Sequence, residues 1–182
     1  DEENKHMIYF GRFCNLYANG PYPEKKLKFT QEFEEGEEDF LFFSKVMIFE
    51  EIVDIFNRRQ GKDERLHPLA KEINWIHHFE ETRHLGFGRE FVKVLWNSHR
   101  SKWSDHVLNR VRKTISDYII ATWKEYYNPK VYKDANLPDP FAIRKMALSH
   151  PNCIKRRAEI SKPLMQFLSK TKILPNAEEL SL

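Results

Sequence analysis

Apolar residues recur at helical spacing through most of this 182-residue chain, and no stretch shows the sustained alternation of a half-buried strand. Glycine, which weakens helix interiors, occurs only six times and not at all after Gly88. Hydrophobic residue types make up 41% of the sequence, which is enough for one packed core. These features predict an all-α fold, and we interpret residues 1–182 as one helical domain.

Composition and charge exclude several classes of protein. The most apolar stretch, residues 40–56, contains four charged side chains, so no membrane-spanning segment is predicted. A formal net charge of +3 is too small to indicate a nucleic acid or an anionic membrane as partner. Cys14 and Cys153 lie far apart and outside any C-x-x-C motif, which argues against a disulfide scaffold and a thiolate zinc site. We therefore expect a cytoplasmic protein that binds neither nucleic acid nor membrane.

Proline, glycine and capping residues divide the chain into predicted helices. We expect them at approximately residues 1–18, 38–60, 68–99, 103–127, 140–149, 151–159 and 161–170. A turn at residues 19–23 ends the first helix, and Gly61 is the predicted C-terminal cap of the second.

The third predicted helix carries a stripe of metal-binding residue types. At about 100° per residue, His77, Glu81 and His84 fall within an arc of about 60°. Ile73 and Phe91 continue this stripe, so it faces the core. A buried carboxylate between two imidazoles is costly unless it is compensated, and a metal ion compensates it. The motif H-x-x-x-E-x-x-H therefore predicts metal ligands, with two core histidines bonded to a structural glutamate as the alternative.

A second motif, E-x-x-H, stands at the start of the first helix. Glu3 and His6 share one face with Phe10, and a second E-x-x-H lies within the first motif at Glu81 and His84. In carboxylate-bridged di-iron bundles, two helices each bring E-x-x-H and two others each bring a single glutamate. The pairing of the two motifs therefore predicts a di-iron site.

The second predicted helix supplies a single glutamate. Glu50 lies inside the apolar stripe with Val46 and Val53, and Glu51, about 100° further round, is the alternative ligand. The other interpretation is that Glu50 and Glu51 are an exposed carboxylate pair. Asp54, one turn beyond Glu50, is predicted to orient a histidine. Imidazole and carboxylate ligands without thiolates suit iron or manganese.

One ligand is missing from this set, because a four-helix site needs one more glutamate from one more helix. No later helix offers a suitable one, and the chain begins inside an E-x-x-H motif. We therefore expect the first bundle helix to lie upstream of Asp1. The predicted metal ligands within the chain are Glu3, His6, Glu50, His77, Glu81 and His84.

These motifs resemble the p-aminobenzoate N-oxygenases and related di-iron arylamine oxygenases. That family carries E-x-x-H, a lone glutamate and H-x-x-x-E-x-x-H in this order, and its extra histidine separates it from most ferritin-like proteins. The three elements stand here at residues 3–6, at Glu50 and at residues 77–84. Residues 85–90 and 160–174 also look like that family's helices.

The resemblance implies a ferritin-like four-helix bundle with additional C-terminal helices. It also implies a non-haem di-iron oxygenase in which the six ligands hold two iron ions, with manganese as a substitute, and carboxylates bridge them. O2 is then the co-substrate, an aromatic amine is oxygenated at nitrogen, and an external electron donor is required. We expect a small-molecule substrate and a homodimer.

Other functions stay open on the sequence alone. They are a hydroxylase or desaturase on the same bundle, a metal-dependent hydrolase, a ferritin-like iron-binding protein and a helical interaction module with buried histidines. Trp75, Phe87 and Phe91 are considered as lining of a substrate pocket, although aromatic residues at helical spacing are more often ordinary core.

Overall fold

The computed structural model of the chain describes residues 2–18, 20–21 and 32–182. Within these ranges the regular structure is helical throughout, which confirms the predicted all-α fold and agrees with a ferritin-like bundle. Asp1 and residues 19, 22 and 23 of the predicted turn lie outside the described residues. The helices are α1 (Glu2–Tyr17), α2 (Glu37–Gln60), α3 (Pro68–His99), α4 (Asp105–Glu125), α5 (Pro129–Asp134), α6 (Pro140–Ser149) and α7 (Pro151–Lys170), followed by a 3-10 turn (Ala177–Glu179).

Local sequence explains the ends of the two longest helices. At the start of α3 the His67 imidazole accepts a hydrogen bond from the Leu69 backbone N–H at 3.2 Å, and Pro68 occupies a position where no N–H is needed. At the end of α2 the N–H of Gly61 bonds the Asn57 carbonyl at 2.8 Å, so Gly61 is the cap that was predicted. The observed bounds of α3 are the predicted ones.

Two predictions about the C-terminal half are wrong. The helix α5 was not predicted, and α7 is one helix where two were expected, with Pro163 inside it. Packing on one side of α7 continues through the proline and outweighs the single backbone hydrogen bond that proline cannot donate. The side chains buried along this side are Ile160, Leu164 and Leu168.

The core is formed mainly by side chains of α2, α3, α4 and α7. Helices α2 and α3 pack along each other, and α4 and α7 pack on α2. The largest fully buried apolar side chains are Phe40, Ile48, Ile52, Trp96, Ile115, Ile119, Leu164, Leu168 and Ile173. Helix α1 packs on α3, and His6 is its buried side chain. Among the described residues, no helix has the length and apolar character that crossing a membrane requires.

Candidate metal centre

Three histidines surround the fully buried carboxylate of Glu81. Its Oε1 lies 3.2 Å from His6 Nδ1, 3.6 Å from His77 Nε2 and 3.2 Å from His84 Nδ1. The i, i+4 and i, i+3 spacings on α3 turn His77 and His84 to the same face as Glu81, and α1 brings His6 against that face. The structure therefore brings three of the six predicted residues, His6, His77 and His84, around the carboxylate of a fourth, Glu81.

The donor atoms form two overlapping groups. One group is His6, His77 and Glu81, the other is Glu3, Glu81 and His84, and the donor atoms within each lie within 4.8 Å of one another. Glu3 is 61% exposed, yet its Oε1 reaches 2.9 Å from His84 Nδ1. Because Glu81 belongs to both groups, the arrangement has the layout of two metal positions that share a carboxylate.

Glu50 lies beside these groups, whereas Glu51 faces elsewhere. Burial raises the pKa of Glu50 to about 8, and the negative charges of Glu81 and Glu3 contribute to the shift. The Glu50 Oε2 is buried and has no hydrogen-bond partner. Glu51 is engaged by the Arg89 guanidinium, which donates from Nε and, at 2.6 Å, from a terminal nitrogen. Of the two neighbours, Glu50 is thus the one with an unused carboxylate oxygen.

Two of the three histidines form hydrogen bonds with carboxylates across the contact between α1 and α3. His6 donates from Nε2 to Glu80 at 2.7 Å, and His84 donates from Nε2 to Glu2 at 3.0 Å. Sequence reasoning missed both acids, since 74 and 82 residues separate the partners and local spacing gives no signal. Their adjacency to predicted ligands, Glu2 beside Glu3 and Glu80 beside Glu81, is the only sequence signal that marks them.

Two polar side chains of α2 contact histidines of α3. The Asn57 side chain contacts His77 Nδ1, an interaction that the sequence analysis also missed. Asp54 was predicted to orient a histidine, and its carboxylate accepts a hydrogen bond from His78 Nδ1 at 2.6 Å. His78 lies outside the predicted ligand set, so Asp54 contacts the neighbour of the predicted ligand His77.

The chemistry of this donor set fits a metal pair. His6 hydrogen-bonds Glu80 through Nε2 and presents Nδ1 to Glu81 Oε1 at 3.2 Å, so its second ring nitrogen faces the same carboxylate as the other two histidines. His6 Nδ1 is buried without a hydrogen-bond partner, as is Glu50 Oε2. Donor atoms about 2.1 Å from one metal ion lie about 3 Å from each other, which is close to the separations found here.

The surroundings shift the pKa values of His77, Glu81 and His84 in different directions. Burial lowers the pKa of His77 to about 4, and the charge of His6 contributes, so this imidazole is neutral near pH 7. Burial raises the pKa of Glu81, and the charge of Glu3 adds to the effect. Burial acts to lower the pKa of His84, but the charge of Glu81 and the hydrogen bonds to the carboxylates outweigh it and raise this pKa. A cation would relieve the repulsion among the carboxylates.

A cavity of about 900 Å³ opens beside the centre, between α1, α2 and α3. Glu50 and His77 both line it, so one wall belongs to the centre. Arg156 of α7 also lines it and brings positive charge. The remaining wall is largely apolar and includes Phe10, Phe13, Phe49, Val53, Phe56 and Ile73.

The three aromatic residues considered as pocket lining do not line this cavity. Trp75 and Phe87 are 42% and 64% exposed, and the Lys62 ammonium lies over the Trp75 ring at 5.1 Å. Phe91 packs edge-on against Phe43 with ring centroids 4.6 Å apart. The phenylalanines that do line the cavity come from α1 and α2, and Tyr126 at the end of α4 lines it as well.

Comparison with known proteins identifies a family. The family model of the P-aminobenzoate N-oxygenase AurF matches residues 1–172. No curated protein and no solved structure matches the chain. The family is one of di-iron enzymes, and the match confirms the resemblance that the motifs carry. This match supports a di-iron arylamine oxygenase kind of function. The chain therefore belongs to the p-aminobenzoate N-oxygenase AurF family.

Proposed function

We propose that this protein is a di-iron oxygenase that oxygenates the nitrogen of a small aromatic amine, with O2 as co-substrate and electrons from an external donor. The observation that carries the proposal is that Glu81 belongs to both groups of donor atoms. A shared carboxylate between two imidazole-containing groups suits a bridged pair of iron ions better than a single structural metal ion. When bound, the iron pair supplies the activation of O2.

The six proposed ligands divide into two kinds. Glu3, Glu50 and Glu81 bring negative charge, whereas the three histidines bring none in their neutral form. His77 is the histidine that the E-x-x-H pairs do not contain, and it lines the cavity next to Glu50. It therefore adds a ligand on the substrate side without adding charge to the centre.

The cavity supports an aromatic substrate. Its volume of about 900 Å³ is large enough for a small organic molecule, and its aromatic and aliphatic walls stack on a ring while they exclude water. A ring that enters with its amino group foremost places the nitrogen beside Glu50 and His77. The walls of α1 and α2 thus orient the group that reacts.

We also propose that one more carboxylate comes from a helix other than those described. Two E-x-x-H pairs and Glu50 leave a four-helix site one glutamate short. Helix α2 carries an exposed apolar strip next to Glu50, on which such a helix would pack. The strip consists of Phe42, Val46 and Phe49, which are 59%, 44% and 45% exposed.

Metal content and O2 consumption test the proposed function. We expect anaerobically purified protein to hold two iron ions per chain and, once reduced, to consume O2 faster with an arylamine present. Glu81→Ala should abolish both properties because both metal positions use this residue. Glu90→Ala, on an exposed part of the same helix, should preserve both. Protein that binds no iron, or that oxidises iron without any effect of an arylamine, would refute the proposal.

A further inference from the structure

The cavity beside the centre is an elongated space between α2 and α3. Glu50 and His77 line one end of it, and Arg59 and His67 line the other. Arg59 lies nine positions after Glu50 on α2, and His67 lies ten positions before His77, at the start of α3. At roughly 1.5 Å per residue, the two ends lie about 15 Å apart, much further than a single-ring amine such as p-aminobenzoate can reach.

The wall between the two ends is apolar. Val53, Phe56 and Ile73 line it, and the ring of Tyr126 stacks on Phe56 with centroids 4.7 Å apart. Aromatic and branched aliphatic side chains of this kind bind flat apolar groups and exclude water. The middle of the cavity therefore suits the apolar body of a ligand, and the polar groups of that ligand belong at its two ends.

The end of the cavity away from the centre is positively charged. Arg59 and Arg156 both line the cavity. Among the described residues, four other arginines form ion pairs with carboxylates, whereas neither of these two does. The acid at this end, Asp63, is neutralised by Arg65, whose guanidinium donates to it at 2.6 and 2.8 Å. Two guanidinium groups are thus available to an anionic ligand.

Arg156 approaches the cavity from the side of Tyr126. The next residue along α7, Arg157, is buried, and its guanidinium donates to the Tyr127 hydroxyl at 3.0 Å. This hydrogen bond holds the first turns of α7 against the end of α4, where Tyr126 stacks on Phe56. Phe56 lies beyond the midpoint between the two ends of the cavity on α2, so Arg156 enters the half that is further from the centre.

We infer that the substrate is an elongated aromatic amine, longer than one ring, with a carboxylate at the end opposite the amino group. The amino group lies beside Glu50 and His77, the aromatic body against the apolar wall, and the carboxylate between Arg59 and Arg156. A guanidinium binds a carboxylate through two parallel hydrogen bonds, so the two arginines fix the far end of the ligand. The inference rests on the proposed function, because the reaction at nitrogen decides which end of the ligand faces the centre.

Isothermal titration calorimetry of the full protein under anaerobic conditions tests the inference without turnover. The probes are aminobiphenyl carboxylate with its two groups at opposite ends, aminobiphenyl without the carboxylate, and p-aminobenzoate. We expect the first to bind at least about tenfold more tightly than either of the others, because only this probe covers the apolar wall and reaches the arginines. Arg59→Gln and Arg156→Gln should each weaken its binding by about tenfold and leave the binding of aminobiphenyl unchanged.

Arg58→Gln is the matched control, because Arg58 is the exposed neighbour of Arg59 and does not line the cavity. It removes the same charge and should keep the wild-type affinity for all three probes. Equal affinities for aminobiphenyl carboxylate and either other probe, or equal losses in Arg58→Gln and Arg59→Gln, would overturn the inference. If aminobiphenyl carboxylate binds as expected but does not stimulate O2 consumption by the iron-loaded protein, the proposed function is overturned while the binding site for this class of ligand is supported.

Discussion

His6 of α1 and Glu80 of α3 meet at 2.7 Å, on the side of the imidazole ring that faces away from Glu81. The relationship is reciprocal, because Glu2 of α1 accepts a hydrogen bond from His84 of α3 at 3.0 Å. Each helix thus fixes the ring of a histidine on the other helix. The donor atoms that face the centre depend on carboxylates that do not face it.

The first prediction concerns Glu80. Glu80→Leu should lower the affinity for Fe²⁺ by about 10- to 100-fold, because the His6 ring loses the partner that fixes its orientation. Glu80→Gln keeps an acceptor oxygen and should lower the affinity by less. Competition with a coloured chelator under anaerobic conditions measures both. Glu72→Leu, at an exposed position of the same helix, is the control, and equal affinities for Glu80→Leu and this control would contradict the prediction.

The second prediction concerns which of two neighbours, Glu50 or Glu51, binds iron. Glu50→Gln should weaken Fe²⁺ binding by at least about tenfold while the metal-free protein becomes more stable near pH 7, because the buried carboxyl no longer has to take up a proton on folding. Glu51→Gln should leave Fe²⁺ binding unchanged but weaken the pair with Arg89. Since Arg89 is partly exposed, we expect a loss of about 2 kcal/mol, or a melting temperature lower by about 6 °C. The reverse pattern would make Glu51 the ligand.

The third prediction is that the metal-free protein loses stability as the pH rises from about 6.5 to 8. The pKa of Glu50 is about 8 in the folded protein and near 4.5 when unfolded, so between these values the folded state binds the extra proton and stability falls with rising pH. The pKa values of Glu81 and His84 are also raised and act in the same direction. The lowered pKa of His77, about 4 against 6.5 unfolded, acts oppositely but only below about 6.5.

Melting temperatures of chelator-treated protein between pH 6.5 and 8 measure this slope. Glu50→Gln removes the largest of these pKa shifts and should flatten the dependence of melting temperature on pH. A variant that follows the wild-type curve would count against the prediction. Glu64→Gln, at an exposed position between α2 and α3, serves as the control and should retain the wild-type slope.

The fourth prediction concerns the cavity. Val53→Phe should raise the KM for p-aminobenzoate, used as the test amine, by about tenfold or more because the larger side chain fills space beside Glu50. Iron content should stay at the wild-type value, which separates loss of substrate space from loss of metal. Val94→Phe places the same change on an exposed part of α3 and should leave KM unchanged. A KM that Val53→Phe does not alter would show that the amine binds elsewhere.

Local signals in the sequence predicted much of the fold and the histidine stripe. The bounds of α3 follow from the Pro68 start and the apolar period, and both depend only on neighbouring residues. The grouping of His77, Glu81 and His84 follows from the same helical period. By contrast, α7 continues through Pro163 because of packing against other helices, which the local sequence does not encode.

The sequence alone could not decide whether Glu50 or Glu51 is the proposed metal ligand. The two residues are adjacent on one helix, and what distinguishes them is Arg89, 38 residues further along the chain. Asn57 was missed for the same reason, since its partner lies 20 residues away on the next helix. Hydrogen bonds across helices depend on how the helices face each other, and no spacing rule within one helix reveals that.

Helix α1 brings two proposed ligands to the centre, yet the side chain it buries is a histidine. Little apolar surface therefore attaches α1 to α3, and segments of this kind open more readily than the rest of a fold. Whatever binds the docked form and not the open form adds its binding free energy to docking. Metal binding at the proposed centre and docking of α1 on α3 are then thermodynamically coupled. At the proposed centre, metal binding would therefore stabilise the docked position of α1.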